Sequence, residues 1–234
     1  MSKVLLAAPV SKYKEYVLFD WIRYIKKLDG EYDILLIDNS MDISFHRKIR
    51  KMGVACMYHK PRKNEPRLNE TIANCSNELL DYFLKGEYTH FFSLECDVFP
   101  PKDIIVRLLS HGVPVVSAMY FIGNGNNIRP MIQVADNEWT IVNSDFEHVF
   151  WKITGGLTRT VGCGKGCLMI AREVFENTGI RFRVEPDKIV HDDTFLAKDL
   201  YDAKIPVMVD TSLYCTHYQS MWNEINKKHK NLIR

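Results

Sequence analysis

The residues with chemistry to offer are carboxylates and one imidazole, far apart in sequence. They are Glu95 and Asp97 in HFFSLECDVFPP (residues 90–101), Asp192 and Asp193 in VHDDTF, Asp38 in IDNS, and His217 in DTSLYCTHY. In an extended segment, side chains at i and i+2 share a face, so Glu95 and Asp97 project together with Cys96 opposite. Two adjacent carboxylates repel, and they stay ionised only where solvent or a cation compensates them. Hard oxygen donors suit Mg²⁺ or Mn²⁺, and a metal held by one or two carboxylates keeps positions open for a diphosphate. His217 can add a nitrogen ligand. The bland reading, a surface acid pair and a core histidine, stands beside this one on pattern alone.

Asp192 and Asp193 stand just before an amphipathic stretch, where an acid caps a helix or meets the positive end of its dipole. Capping is a sufficient explanation for one of the two acids. Asp38 at a strand end is either a turn former or a ligand contact. VGCGKGCLM holds Gly162, Gly164, Lys165 and Gly166, but it lacks the P-loop spacing and precedes a strand instead of opening a helix. Its glycines let backbone approach a ligand closely, or simply form a tight turn.

These residues need a frame. Val4 to Ala8 reads as a buried strand, and Val17, Trp21, Tyr24, Ile25 and Leu28 recur at helical spacing before Gly30. Ile34 to Ile37 and Val54 to Tyr58 read as strands, and Leu68, Ile72, Cys75, Leu79 and Phe83 as the stripe of a long helix. The apolar part of HFFSLECDVFPP is the next strand, followed by a helix through Ile104 to Leu109 and a strand at Val113 to Tyr120. Strand-then-helix repetition predicts an α/β domain with a mostly parallel central sheet flanked by helices. In such sheets ligands sit beyond the carboxyl ends of the strands, where these acids fall.

Residues 122–234 predict a smaller mixed α+β portion. It has a GNGNN loop, strands at Met131 to Val134 and Trp139 to Val142 that could form a hairpin, and a strand at Cys167 to Ile170. Helices follow near Arg172 to Thr178 and Thr194 to Ala203, with a strand at Val207 to Val209. One domain is expected, with 1–121 and 122–234 as its two halves. Trp139, Trp151 and Trp222 offer aromatic faces for stacking on a ligand, with core packing the reading for at least one of them.

The chain has 234 residues, 46% of them apolar, which supports one sizeable core. A formal net charge of +2 argues against sequence-independent binding to nucleic acid. The six cysteines form no paired CxxC knuckles and read as reduced core thiols. No apolar run approaches the ~18 residues of a membrane span, and the N-terminal run is too short for a secretory signal. The expected location is the cytoplasm, with at most peripheral membrane contact through the basic tail NKKHKNLIR.

In its combination of an N-terminal strand, Asp38, SLECDVFPP, VGCGKGCLMIAREVFE, HDDTFLAKDL and a late His217, the chain resembles the GT-A fold glycosyltransferases. The resemblance covers nearly the whole chain, and it implies a single GT-A-like domain, with 1–121 as its nucleotide-sugar-binding half and 122–234 as its acceptor-side half, transferring a sugar from a UDP- or GDP-sugar donor to a glycan, lipid-linked or small-molecule acceptor. Asp97 matches the acid that contacts Mn²⁺ or Mg²⁺ and the donor diphosphate, Glu95 departs from the usual first aspartate, and His217 matches a late metal ligand. Asp38, Asn39, Arg67, Asn69 and Gly164 fall where the family contacts the donor, and Pro9 lines the same pocket. Lys60, Arg62 and Lys63 read as a solvated loop. The resemblance further implies inversion, with Asp193 as general base and Asp192 orienting the acceptor. The alternatives are a retaining transferase on the same fold, a sugar-nucleotide nucleotidyltransferase and a non-catalytic carbohydrate-binding module.

Overall fold

A computed structural model describes residues 2–60, 68–123, 128–134, 147–148, 152–185 and 191–219. The first third alternates strand and helix: β1 (Val4–Val10), α1 (Glu15–Ile25), β2 (Tyr32–Asp38), α2 (Ile43–Lys51), β3 (Ala55–Tyr58) and α3 (Leu68–Lys85). Then come β4 (His90–Leu94), β5 (Val98–Phe99), α4 (Ile104–Ser110), β6 (Val115–Met119) and β7 (Phe121–Ile122). The remainder holds β8 (Arg129–Pro130), β9 (Ile132–Val134), β10 (Glu147–His148), β11 (Leu157–Thr160), β12 (Gly162–Cys163) and β13 (Cys167–Ala171). It closes with α5 (Arg172–Thr178), α6 (Asp192–Asp202), β14 (Val207–Tyr214) and β15 (Thr216–His217).

Among the described residues, eight strands form one sheet in the order β11-β14-β6-β13-β4-β1-β2-β3. Only β11 and β13 run against the other six, so the sheet is mostly parallel, as the alternating pattern predicts. β13 is inserted between β4 and β6, which places a strand from the second half of the chain at the centre of the sheet. Two apolar clusters cover the sheet. One gathers Trp21, Ile22 and Ile25 of α1 with Phe45, Ile49 and Ile104, and the other gathers Leu79, Leu80 and Phe83 of α3 with Phe91, Phe175 and Leu196. Burying each such side chain stabilises the fold by about 1.5–3 kcal/mol.

Helix α2 is absent from the expected elements. Its segment ISFHRKIRK is strongly basic and buries only Phe45, His46 and Ile49, so charge hides its apolar face. Asp42 caps it by accepting from the Ser44 and Phe45 amides at 2.9 and 3.1 Å. Parallel β2 and β3 also require a crossover between them, and α2 supplies it. The last long strand extends to Tyr214 instead of stopping at Val209, with a register break between Asp210 and Tyr214. β9 pairs with β10 and β12, and the expected strand at Trp139 to Val142 lies outside the described residues. No described helix is long and apolar enough to cross a membrane.

Candidate active site

Sheet topology puts the site between β1 and β4. From β1 the chain proceeds outward to β2 and β3, then returns to place β4 on the other side of β1, so strand order reverses there. A crevice opens beyond the carboxyl ends at such a reversal. The β1–β4 pairing stops at Ala7 and Ser93, beyond which half-buried Pro9 has no ladder partner to miss on that side.

Glu95 and Asp97 lie just beyond the carboxyl end of β4 at this reversal, and a turn holds them there. β4 ends at Leu94, and the Val98 amide donates to the Glu95 carbonyl at 3.0 Å, which closes a turn around Cys96 and Asp97. The acids therefore converge through a turn, not through the strand alternation that the sequence suggests. The turn is fixed from three sides. The Glu95 amide donates to Gly166 O at 3.0 Å, the Tyr218 amide to Asp97 O at 2.8 Å, and the Trp21 indole to Val98 O at 2.9 Å.

His217 arrives from the far end of the chain because β15 pairs antiparallel with β5, setting His217 opposite Val98. Its Nδ1 lies 2.9 Å from Phe121 O and its Nε2 lies 3.5 Å from Asp97 Oδ2. One ligand atom each from Glu95, Asp97 and His217 falls within 4.8 Å of the other two. Two carboxylates and an imidazole are the hard oxygen and nitrogen donors that suit Mn²⁺ or Mg²⁺, so the residues fit such an ion.

The buried charged groups shift one another's ionisation. Burial opposes ionisation of Asp97, but His217 and Lys14 outweigh it and hold the carboxyl at about 2. Burial also opposes protonation of His217, yet Asp97 and Glu95 raise its pKa above the ordinary value. Burial and the neighbouring Asp97 push Glu95 upward. The Lys14 ammonium, from the turn between β1 and α1, is ion-paired with Asp97 Oδ2. Lys14 is not marked out in the sequence, because nothing in SKYKEY distinguishes it from Lys12, which pairs instead with Asp42 at 2.7 Å.

Asp192 and Asp193 form the first turn of α6, and the pair divides the work. Asp192 is buried and ion-paired with Lys165, whose ammonium also donates to the Ser76 hydroxyl at 3.0 Å. The lysine of the glycine-rich stretch thus turns inward to an acid and cradles no phosphate. Asp193 is half-buried, and its Oδ1 accepts from the Thr194 amide at 2.8 Å. Burial raises its pKa, Asp192 adds to the rise, and His191 and Lys165 oppose it.

Tyr120 joins the two groups of acids. It is buried, its ring stands edge-on to His217 at 5.5 Å, and both Glu95 and Asp193 help burial to push its phenol well up. The phenol oxygen accepts from the Gly166 amide at 3.0 Å. A Cβ added to Gly164 would strike the Tyr120 hydroxyl and come within 2.6 Å of Met131 Cε, and one added to Gly166 would lie 2.6 Å from Tyr120 Cζ. Tyr120 therefore fills the space that these glycines leave, which supplies a packing reason for them.

At the end of β2, Asp38 is fully buried. Its Oδ1 accepts from the Ser40 amide at 3.0 Å and from the Ser40 hydroxyl, as a turn former does. Its Oδ2 lies 3.7 Å from His46 Nδ1 and has no hydrogen bond among the described residues. Asn39 follows, its amide donating to Val10 O at 3.0 Å. Asn69 sits in the first turn of α3, while Arg67, Arg62, Lys63, Trp139, Trp151, Trp222 and the basic tail lie outside the described residues.

The chain matches no family model and no curated protein sequence. Solved structures do match. GalNAc-T7 with UDP, GalNAc and Mn²⁺ superposes at a TM-score of 0.62 and 12% identity, over 93% of this chain and 44% of that one. The mannosyltransferase PcManGT from Pyrobaculum calidifontis, in complex with GDP-Man and Mn²⁺, gives 0.62 and 12%, over 97% of this chain and 61% of that one. This chain has the GT-A fold. It spans less than two thirds of the length of these two glycosyltransferases. A CMP:2-keto-3-deoxy-manno-octonic acid synthetase complexed with CTP is similar at a TM-score of 0.51 and 11% identity, over 89% of each chain. The GT-A fold thus accounts for the strand order and the β1–β4 crevice, and the chemistry rests on the side chains within it.

Proposed function

We propose that the chain is a metal-dependent glycosyltransferase that moves a sugar from a UDP- or GDP-sugar to an acceptor hydroxyl. The carrying observation is the convergence of Glu95, Asp97 and His217 at the topological switch point, with their ligand atoms within 4.8 Å of one another. GT-A neighbours that hold UDP or GDP-Man together with Mn²⁺ support the same reading. Glu95, Asp97 and His217 would hold Mn²⁺ or Mg²⁺, which supplies charge neutralisation for a departing nucleoside diphosphate.

The chain's own residues do the rest. Pro9 and Asn39 border the donor pocket with the backbone at the end of β1, Asp38 shapes its floor through the Ser40 turn, and Arg67, Asn69 and Gly164 complete the proposed donor contacts. Asp193 is the proposed base, and a half-buried carboxylate with a raised pKa suits that task. The acceptor oxygen bonds to the anomeric carbon, the bond from that carbon to the diphosphate oxygen breaks with its electron pair going to the diphosphate, and the hydroxyl proton passes to Asp193. Inversion follows from this single displacement. Asp192, tied to Lys165, positions the first turn of α6 and through it the acceptor side.

A thermal-shift screen of nucleoside diphosphates and their sugars, with and without Mn²⁺, tests the proposal, because a ligand that binds only the folded state raises its melting temperature. A Mn²⁺-dependent rise with a UDP or GDP ligand is expected. No rise with any of them counts against the assignment. The similarity to a synthetase complexed with CTP favours one second reading, a nucleotidyltransferase, which would release pyrophosphate from a nucleoside triphosphate.

A further inference from the structure

Lys14 is the one cationic side chain from the first helical unit that reaches into the acid cluster. It closes the short turn Lys12–Lys14, which Ser11 caps, and immediately precedes α1. Its ammonium contacts Asp97 Oδ2, the oxygen that His217 Nε2 approaches to 3.5 Å. The Asp97 side chain is 1% exposed and that of Lys14 is 24% exposed, so the acid is fixed inside while the lysine stem keeps a path toward solvent.

A buried carboxylate needs compensation. In the arrangement described, the Lys14 ammonium sits on the Asp97 oxygen that also faces His217, beside the Glu95 carboxyl. A divalent cation held by the same oxygens supplies the positive charge that Lys14 supplies there. An ammonium in contact with Asp97 Oδ2 then competes for a metal-binding oxygen and repels the ion. Its flexible four-carbon stem lets it move without rearranging the turn. The nearest demand for positive charge is then the donor diphosphate on the open side of the crevice.

We propose that Lys14 is a mobile counter-cation of this site: it occupies the Asp97 carboxylate when no divalent ion is there, and transfers to the diphosphate oxygens when metal and nucleotide bind. The inference rests on the metal-dependent transferase reading and adds to it a residue and an order of events. Lys14 holds the acids together before loading, weakens metal uptake in the absence of nucleotide, and strengthens nucleotide binding after it. Metal and donor uptake are thereby coupled.

The test is titration calorimetry of Mn²⁺ alone, and of UDP and GDP in saturating Mn²⁺, on the full chain and on Lys14→Met, which keeps the aliphatic stem. Lys14→Met is expected to bind Mn²⁺ at least tenfold more tightly than the unaltered chain, and to bind the preferred nucleotide at least tenfold more weakly. Lys14→Arg, which keeps the charge, should return both values toward those of the unaltered chain. Lys14→Gln carries the same expectation as Lys14→Met if the methionine variant fails to fold. Equal or weaker Mn²⁺ binding by the neutral variants, or unchanged nucleotide binding, overturns the role of Lys14 and leaves the transferase reading intact. Absence of Mn²⁺ binding in every protein, with or without nucleotide, overturns that reading and the present inference with it.

Discussion

Replacing Lys165 with Met removes the partner of a buried acid, and the structure sets the size of the effect. Lys165 and Asp192 are 6% and 2% exposed, and no water layer separates them. The Lys165 ammonium also donates to Ser76 at 3.0 Å and lies 5.5 Å from the Phe182 ring centroid. Lys165→Met leaves the Asp192 carboxylate buried beside a hydroxyl alone, which costs about 3–5 kcal/mol. That is a large part of the roughly 5–15 kcal/mol that stabilises a domain. Asp192→Asn strands the ammonium instead and should cost a similar amount. The double variant Lys165→Met/Asp192→Leu removes both charges and should recover most of the loss. Urea unfolding followed by circular dichroism measures all three. Single losses below about 1 kcal/mol, the size of a solvated surface pair, would refute the claim that this pair is dry and pins the start of α6.

Other expectations concern the site and its packing. Gly164→Ala forces a methyl group against the Tyr120 hydroxyl and Met131 and should destabilise by about 1–3 kcal/mol, with Tyr120→Phe relieving part of the loss in a double-mutant cycle. In the metal-free protein the folded Asp97 carboxyl sits at about 2 against an ordinary 3.8, so its contribution is full above about pH 4 and is lost as pH falls toward 2. That gap corresponds to about 2 kcal/mol, and an Asp97→Asn variant should show a shallower acid limb in pH-dependent melting. The His217 pKa is raised, so its pairing with Asp97 stabilises the metal-free fold at lower pH and fades as pH rises through the folded value. A metal needs the neutral imidazole, so Mn²⁺ affinity in calorimetry should climb up to about tenfold per pH unit below that value and level off above it.

Much of the frame was legible because it depends on pattern. The apolar runs of β1, β4 and β6 and the stripes of α1 and α3 are periodic, and they predict a mostly parallel sheet without any contact being known. α2 was not legible from periodicity, since Phe45 and Ile49 are its only large apolar buried residues among four basic ones. The Glu95–Asp97 pair was legible by spacing, but its geometry was not, because a turn replaces the strand after Leu94. Partner choice was least visible. Lys14 meets Asp97, Lys12 meets Asp42, and Lys165 turns inward to Asp192, outcomes that depend on which elements the topology brings together. Tyr120 escaped notice for the same reason: its role arises from Gly164 and Gly166, which lie more than forty residues further along the chain.

In the proposed function, the site at the carboxyl ends of β1 and β4 breaks the bond between an anomeric carbon and a diphosphate with the help of Asp97. Phosphorus NMR of a UDP- or GDP-sugar incubated with the protein, Mn²⁺ and a pool of glycan acceptors tests it directly. A nucleoside diphosphate should accumulate, and Asp97→Ala or removal of Mn²⁺ should abolish it. Pyrophosphate release from a nucleoside triphosphate, or diphosphate formation undiminished in Asp97→Ala, would contradict it.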